Sequence, residues 1–474
     1  MHELKQTGAL AASALLAACS LAPRYQLPQV SVPANYKEAA PWAAAQPGDH
    51  LPRGEWWRTY SDPRLNELEA QLNQNSPDLA TAVARYQQVR AYSDQLKSAL
   101  LPSITGSASA QRQGLSATRP LHAPGQANNY NVFTLAADFE YELDFWGRVR
   151  NGVAAGRAQA AASAADLASA RLGLQAQLAS NYMLLRGLDR EIQLLQNTVT
   201  AYQRALELTQ QRHDGGIVSG LDVSRAETQL RTAKSQVSQS NAQRSVHEHA
   251  IAVLVGQPAS SFTLAAATDD LNIPEIPVDV PSVLLERRPD IAAAERRAAA
   301  ANFTVGVARA AYFPTVELSG TAGYQSVNTG NFLNSPNSVW SVGPTLALSL
   351  FDFGRRKAVV AQTRAAFDEA GAQYRVTVLT AFKEVEDSLV LLEDYRLASV
   401  DEAAAVVSAQ RSVDFAMTRY KQGAVDYLAV VDAQTAALQT QREALGLQTN
   451  RLQASVQLIR ALGGGWSREE DGRS

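Results

Sequence analysis

The sequence lacks several features that would place it in a familiar class. No run of about 20 apolar residues occurs, so no α-helix is expected to span a lipid bilayer. The 43 basic and 46 acidic residues give a net charge of −3, which leaves no broad basic surface for nucleic acid. Walker A, Rossmann and HExxH motifs are absent, and no nucleophile with a matching base is found, so an enzyme is not expected. Membrane-spanning β-strands remain possible, because their alternating patterns average out in hydropathy.

Cysteine occurs once, at Cys19, so no internal disulfide can form. The short apolar run before it ends in Leu16-Ala17-Ala18, and Leu-Ala-Ala-Cys resembles a bacterial lipobox. This predicts a signal peptide over residues 1–18 and a covalent lipid on Cys19, with no other cofactor and no metal site. Ser20 at the next position favours sorting to the outer membrane, by the same resemblance. An ordinary signal peptide with an incidental cysteine is the alternative.

Proline is missing from two long windows. None of the 19 prolines lies between residues 125 and 257 or between residues 345 and 474. Proline inside a helix costs about 3 kcal/mol, so these windows are where long helices can run. Apolar residues follow a coiled-coil spacing of three and four at Leu188, Ile192, Leu195, Val199, Tyr202 and Leu206. A helix over 150–212 is predicted, roughly 90 Å long at 1.5 Å per residue.

The chain also repeats itself. Pro77-Asp78-Leu79 recurs as Pro289-Asp290-Ile291, Leu101-Pro102 as Phe313-Pro314, and Asp144-Phe145-Trp146-Gly147-Arg148 as Asp352-Phe353-Gly354-Arg355. The preserved order indicates a duplication in which each half reads helix, strand, loop, strand, very long helix, turn and helix. The predicted divisions are a signal peptide (1–18), a lipidated N-terminal segment with an equatorial region (19–76), a first repeat (77–262), a Pro-rich joint (263–288), a second repeat (289–466) and a tail (467–474).

Alternation of apolar and polar residues predicts two β-hairpins that could cross a membrane. In the strand that begins at Phe133, apolar residues face one way, while Asp138, Glu140 and Glu142 face the other and are candidates for a barrel lumen. A half-buried strand in a soluble sandwich shows the same alternation. The hairpins feed helices with no evident soluble core to cover, which favours the membrane interpretation.

Four such strands cannot stand alone in lipid. An open sheet would leave edge backbone groups unsatisfied, at several kcal/mol each. Eight strands from two copies barely leave room for side chains, whereas twelve strands from three copies could enclose a pore. The strands therefore predict a homotrimer.

With these features in place, the sequence resembles the TolC-like outer-membrane efflux factors, and within them the lipoprotein branch. The resemblance is carried by Cys19, Trp56-Trp57 with Asp62-Pro63, Asp78-Leu79, Leu143-Asp144-Phe145-Trp146-Gly147-Arg148, Leu350-Phe351-Asp352-Phe353-Gly354-Arg355 and Ala461-Leu462-Gly463-Gly464-Gly465-Trp466. It implies a mixed α and β trimer with a twelve-stranded barrel in the outer membrane and an α-helical barrel in the periplasm. It also implies a periplasmic adaptor and an inner-membrane transporter, commonly proton-driven and of the resistance–nodulation–division class.

The remaining candidate site residues lie where the long helices end and the next helices begin. Gly215, Gly216 and Gly423 interrupt the long helices where the chain must reverse. Capping or helix-dipole stabilisation is the expected role of Asp222. For Asp426 and Asp432 the resemblance adds a second possibility, rings of carboxylates at a narrow periplasmic aperture.

The leading hypothesis is a channel subunit that passively conducts drugs or other small solutes outward for a tripartite efflux system. A non-conducting structural lipoprotein of the outer membrane is one alternative, and a duct for metal ions or secreted proteins is another. The paired amphipathic strands argue against the first, and the absence of a Met-rich or His-rich tract argues against soft metal ions.

Overall fold

A computed structural model describes residues 20–26, 29, 33, 36–37, 53–120, 123, 125–274, 276 and 288–464. The predicted signal peptide, the lipidation residue Cys19 and the predicted tail lie outside the described residues. The chain divides into two compact units. The first, called the strand unit, comprises the described parts of Met1–Gln29, Tyr86–Ser163 and Ala293–Tyr374. The second, called the helical unit, comprises those of Val30–Arg85, Ala164–Ala292 and Arg375–Ser474.

The elements occur in two matching series. A 3₁₀-helix (Arg53–Tyr60) and α1 (Pro63–Asn75) come first. The first series is α2 (Pro77–Ser98), β1 (Ser103–Gly114), β2 (Asn129–Glu142), α3 (Arg148–Asp214) and α4 (Gly220–Leu254). The second is α5 (Pro289–Ala310), β3 (Thr315–Ser326), a 3₁₀ turn (Ser335–Asn337), β4 (Ser338–Ala347), α6 (Arg355–Lys421) and α7 (Tyr427–Ala461).

Helix lengths agree between the series. The first helices have 22 residues each, the long helices 67 each and the last helices 35 each. Proline opens α1, α2 and α5, where its missing N–H costs nothing because the first helical amides have no partner. The predicted helix over 150–212 is confirmed as α3. Among the described helices, none is both long enough and apolar enough to cross a membrane.

The strand unit contains one antiparallel sheet in the order β1-β2-β3-β4. Residues directly opposite on neighbouring strands share a face of the sheet. One face carries mainly apolar side chains, among them Phe133, Phe139, Tyr141, Val316, Leu318, Tyr324, Trp340, Val342 and Leu346. The other carries Thr134, Asp138, Glu140, Glu142, Glu317, Ser319, Thr321, Ser341 and Thr345. The register therefore gives the sheet an apolar and a polar face, and the four predicted strands are confirmed.

The N-terminal segment 20–26 lies against helices of the strand unit. The Ser20 hydroxyl donates to Asn151 Oδ1 at 2.8 Å, in the first turn of α3. The Asn302 side chain of α5 donates to the carbonyl of Pro23 at 2.9 Å. These bonds fix the chain next to the helix that follows β2.

In the helical unit, α1 is fixed to α3 through Asp62. The Asp62 carboxylate caps α1 by accepting from the amides of Arg64 and Leu65. It also accepts from Tyr182 and Arg186 of α3, at 2.8 Å each. One buried carboxylate therefore starts a helix and binds it to its neighbour.

Candidate functional site

The acidic residues predicted to line a lumen lie together on the polar face of the sheet. Asp138 accepts from Thr321 Oγ1 at 2.6 Å and from Ser107 Oγ at 3.4 Å, on the strands at either side. Glu140 and Glu142 follow at every second position of β2, so all three carboxylates share this face. A polar surface with three carboxylates on one strand can keep water and cations close to it.

Glu142 stands at the end of β2, directly opposite Glu317 of β3. Two like charges facing each other across strands repel. Arg148, the first residue of α3, offsets this repulsion by donating to Glu142 through Nε at 2.8 Å and through Nη2. The junction between strand and helix is thus held by an ion pair that is partly exposed.

The helical unit ends in two turns that reverse the chain. At the end of α3, Gly216 has a φ of 73°, its N–H donates to the His213 carbonyl, and the Ile217 N–H donates to the Arg212 carbonyl. These two bonds define a Schellman motif, which needs a left-handed residue and therefore favours glycine. The same motif ends α6, where Gly423 has a φ of 74°. Gly215 lies in the first turn but is not among the glycines with positive φ.

The aspartates near these turns differ in their contacts. Asp426 is the N-cap of α7, and its carboxylate accepts from the Ala429 amide at 3.4 Å. Asp222 lies in the first turn of α4, where it pairs with Arg225 at 3.6 Å and stabilises the helix dipole. Asp432 is exposed on α7. The aperture role of Asp426 and Asp432 stays a prediction.

The two turns contact each other through side chains that periodicity does not single out. The Arg212 guanidinium lies 4.6 Å from the centre of the Tyr420 ring and donates to the Tyr420 carbonyl at 2.7 Å. The Tyr420 and Tyr427 rings meet edge to face at 5.3 Å. Gln229 of α4 donates to the carbonyl of Val431 at 3.1 Å. In the sequence, Tyr420 and Tyr427 flank the second turn and Arg212 precedes the first, and this is the pattern that could have indicated the contact.

Burial marks this contact as a core. Ala205, Ala226 and Val430 surround the two tyrosines and are buried with them. Burial, aided by the neighbouring Tyr420, Tyr202 and Asp222, raises the pKa of Tyr427 to about 12. The turns are therefore packed against each other by neutral aromatic side chains and one arginine.

Cys19 lies outside the described residues, which begin at Ser20. In the part of the chain that the structure describes, no group of three or more His, Cys, Asp and Glu side chains could hold a metal ion. The candidate residues lie on two features, the two-faced sheet and the paired helix turns.

Comparison with known proteins decides the family. A family model described as outer membrane efflux protein matches residues 68–257 and 280–464. The chain belongs to this family. The efflux protein is 30% identical over 463 residues to the toluene efflux pump outer membrane protein TtgF of Pseudomonas putida, covering 96% of each chain. It is 31% identical over 469 residues to outer membrane protein OprJ of Pseudomonas aeruginosa, covering 98% of this chain and 96% of OprJ.

The fold of this efflux protein matches solved channels. Against the outer-membrane channel OprN the TM-score is 0.87 at 30% identity, covering 94% of this chain and all of OprN. The predicted TolC-like fold class, with its mixed α and β elements and long helices, is confirmed. The efflux protein is the outer-membrane component of an efflux system. The predicted domain boundaries and site residues stay predictions.

Proposed function

We propose that three copies of the chain form one passive exit duct, with a twelve-stranded β-barrel in the outer membrane and an α-helical barrel in the periplasm. The observation that carries this proposal is the two-faced sheet with open edges. Among the described strands, β1 and β4 each have one neighbour. In lipid each unsatisfied backbone group costs several kcal/mol, so the edges need partner strands. Pairing β4 of one copy with β1 of the next removes all edges.

An exposed seam on α6 supports assembly through the helices as well. Six of its aliphatic side chains are 37–63% exposed and recur at heptad positions: Val376, Leu379, Val390, Leu397, Val400 and Val407. A period of 3.5 residues fits packing against another helix in a coiled coil. A second copy of the chain is the partner we propose for this seam.

The duct would be polar inside. The acidic face of β2 would line the barrel, and three-fold symmetry would turn Asp138, Glu140 and Glu142 into rings. Asp426 and Asp432 would form rings at the periplasmic end and favour cations. Replacing both by Ala is expected to change single-channel conductance and its sensitivity to divalent cations. Unchanged conductance and unchanged sensitivity would remove these two residues from the aperture.

The position of the N-terminal segment supports a lipid anchor on Cys19. Ser20 is bonded to Asn151, nine residues after the end of β2 at Glu142, so the first described residue of the chain lies near the strand ends. Acyl chains contribute about 0.8 kcal/mol per buried CH₂, and several chains would anchor the protein firmly. Radiolabelled palmitate is expected to label the wild type and not Cys19→Ala. Equal labelling of both would exclude Cys19 as the acceptor.

The partners and the cargo follow from the same proposal. A passive duct has no energy source, so a periplasmic adaptor would join it to an inner-membrane transporter, which we propose is proton-driven. TtgF is named for a toluene efflux pump, and small apolar organic solutes are the cargo we propose for this chain. Export of metal ions or of secreted proteins is the alternative that a substrate survey would reveal.

Conductance in a planar lipid bilayer tests the duct directly. Purified protein that elutes as a trimer in detergent is expected to produce discrete single-channel steps. A trimer without conductance would favour the structural lipoprotein instead. A monomer without conductance would remove the proposal altogether.

A further inference from the structure

The two halves of the chain carry equivalent junctions between strand and helix. The first junction is residues 143–148, with the sequence LDFWGR, and the second is residues 350–355, with the sequence LFDFGR. Both have six residues, and their glycines share a left-handed conformation, with φ of 75° at Gly147 and 91° at Gly354. The following helices start at the last residue of each junction. Aligned from this glycine without a gap, the junctions set Phe353 against Trp146 and Leu350 against Leu143, and they differ in that Phe353 itself has a positive φ of 52°.

The first junction is covered by the segment that leads into β3. The Trp146 ring stacks on Phe313, with centroids 4.6 Å apart and planes 23° apart. Trp146 Nε1 donates to the carbonyl of Pro314 at 2.8 Å. The Leu143 N–H donates to the carbonyl of Val316 at 2.8 Å. The segment 313–316 thus holds the junction by one aromatic stack and two hydrogen bonds.

At the second junction the corresponding side chains are exposed to solvent. Phe353 takes the place of Trp146, and Leu350 that of Leu143. Leu350, Phe351 and Phe353 are 86%, 75% and 91% exposed. The junction follows β4, which has β3 on one side and no second neighbour among the described strands, whereas β2 lies between β1 and β3.

The segment equivalent to 313–316 in the other half is 101–104, because Leu101-Pro102 matches Phe313-Pro314. It leads into β1, at the opposite edge of the sheet. Leu101 and Ile104 are 71% and 74% exposed. The chain therefore has an exposed second junction and an exposed segment, residues 101–104, that is equivalent to the one packed on the first junction. They cannot meet within one chain, because β4 and β1 lie at opposite edges of the sheet.

We infer that the second junction of one chain is completed by residues 101–104 of a second copy. Phe353 packs on Leu101 and Pro102, as Trp146 packs on Phe313. The Leu350 N–H donates to the carbonyl of Ile104, as the Leu143 N–H donates to that of Val316. This inference rests on the proposed assembly of several copies and adds to it the residues that join them. Burial of large apolar side chains drives the contact.

Cross-linking tests the contact. In the full-length protein the proposed lipid would block the Cys19 thiol, so the pair Leu101→Cys and Phe353→Cys would supply the only free thiols, and each single variant controls for reaction at Cys19. A short bismaleimide is expected to convert most of the protein into a covalent trimer on denaturing gels, and either single variant is expected to stay largely monomeric there. The matched control pairs Phe353→Cys with Leu333→Cys, which is also well exposed but lies in the β3–β4 connection. It should give no covalent trimer.

The outcomes separate this contact from the proposed function. If the protein is a trimer by size in detergent but the Leu101→Cys and Phe353→Cys pair cross-links no more than the Leu333→Cys control, the contact is wrong and the proposed duct still stands. A monomer by size would overturn both.

A second measurement avoids cysteine. Phe353→Asp is expected to lower the dissociation temperature of the trimer below that of the wild type. Phe353→Trp is expected to keep or raise it, because the ring N–H can donate to the Pro102 carbonyl as that of Trp146 donates to Pro314. Equal temperatures for Asp, Phe and Trp would also overturn the contact.

Discussion

Removal of the Asp62 carboxylate is expected to destabilise the helical unit strongly. Its oxygens accept from Arg64 N at 2.8 Å, Leu65 N at 3.0 Å, Tyr182 Oη at 2.8 Å and Arg186 Nη1 at 2.8 Å. The side chains of Asp62 and Arg186 are 6% and 5% exposed. Asp62→Ala therefore deletes a helix cap and leaves a buried arginine without one of its two carboxylates.

The magnitude follows from these contacts. Breaking a buried ion pair by removing one partner costs about 3–5 kcal/mol. Arg186 keeps Asp269, which is mostly exposed, and the carbonyl of Ala267, so the lower end of that range applies. Loss of the N-cap adds about 1 kcal/mol, which brings the total to about 4 kcal/mol per chain. The unfolding entropy of 474 residues is roughly 1 kcal/mol/K, so the thermal midpoint should fall by about 4 °C.

The assay is thermal unfolding in one detergent at fixed protein concentration and scan rate, since the midpoint of an assembled protein depends on both. Asp62→Asn keeps a group that can accept from the helix amides but removes the charge, and it should show an intermediate loss. Asp94→Ala is the control, because Asp94 pairs with Lys97 on the surface and such pairs contribute little. If Asp62→Ala and Asp94→Ala moved the midpoint equally, the buried pair would not stabilise the fold as argued.

Three further experiments, which use five substitutions, test other features by thermal unfolding or by trimer yield. Burial raises the pKa of Glu69 well above 4.5, so the folded state holds its proton after the unfolded state has lost it. The midpoint of the wild type should therefore fall relative to Glu69→Gln as the pH rises from about 5 toward the folded pKa, and parallel profiles would contradict this. Gly216→Ala should cost about 1–2 kcal/mol because its φ is left-handed, whereas Gly215→Ala should be nearly neutral; equal effects would exclude the strain. A Cβ at Gly323 would overlap the backbone of β2, while one at Gly343 meets open space, so Gly323→Ala should lower the yield of folded trimer and Gly343→Ala should not.

Much of the architecture could be predicted from patterns that extend over many residues. The proline-free windows predict a helix over 150–212, and α3 runs from Arg148 to Asp214. Alternation predicts the strands, and β1 is the least evident because Ser, Ala and Gln alternate there with little contrast in polarity, yet it extends over Ser103–Gly114. Long-range order therefore follows from periodicity and from where proline is missing.

Single polar contacts could not be predicted in this way. Asp62 and Arg186 are 124 positions apart, and no local pattern links a residue before α1 to one inside α3. Glu69 lies on the same helix as several surface residues, and only its tertiary surroundings bury it. The same holds for the paired turns. Gly216 and Gly423 predict where the helices end, but they do not predict that Arg212 contacts Tyr420. Such contacts depend on which helices become neighbours.

The equal lengths of α3 and α6, and of α4 and α7, limit how the helices of such a protein can become longer or shorter. Deleting one residue from α3 alone would rotate everything beyond it by about 100° and shorten it by about 1.5 Å, which would pull Arg212 away from Tyr420. Only losses of whole heptads, about 10 Å each, keep the apolar seam in line, and they must occur together in α3, α4, α6 and α7. We therefore expect natural variation in helix length to come as four coordinated insertions or deletions of seven residues, placed at matching heights in both halves.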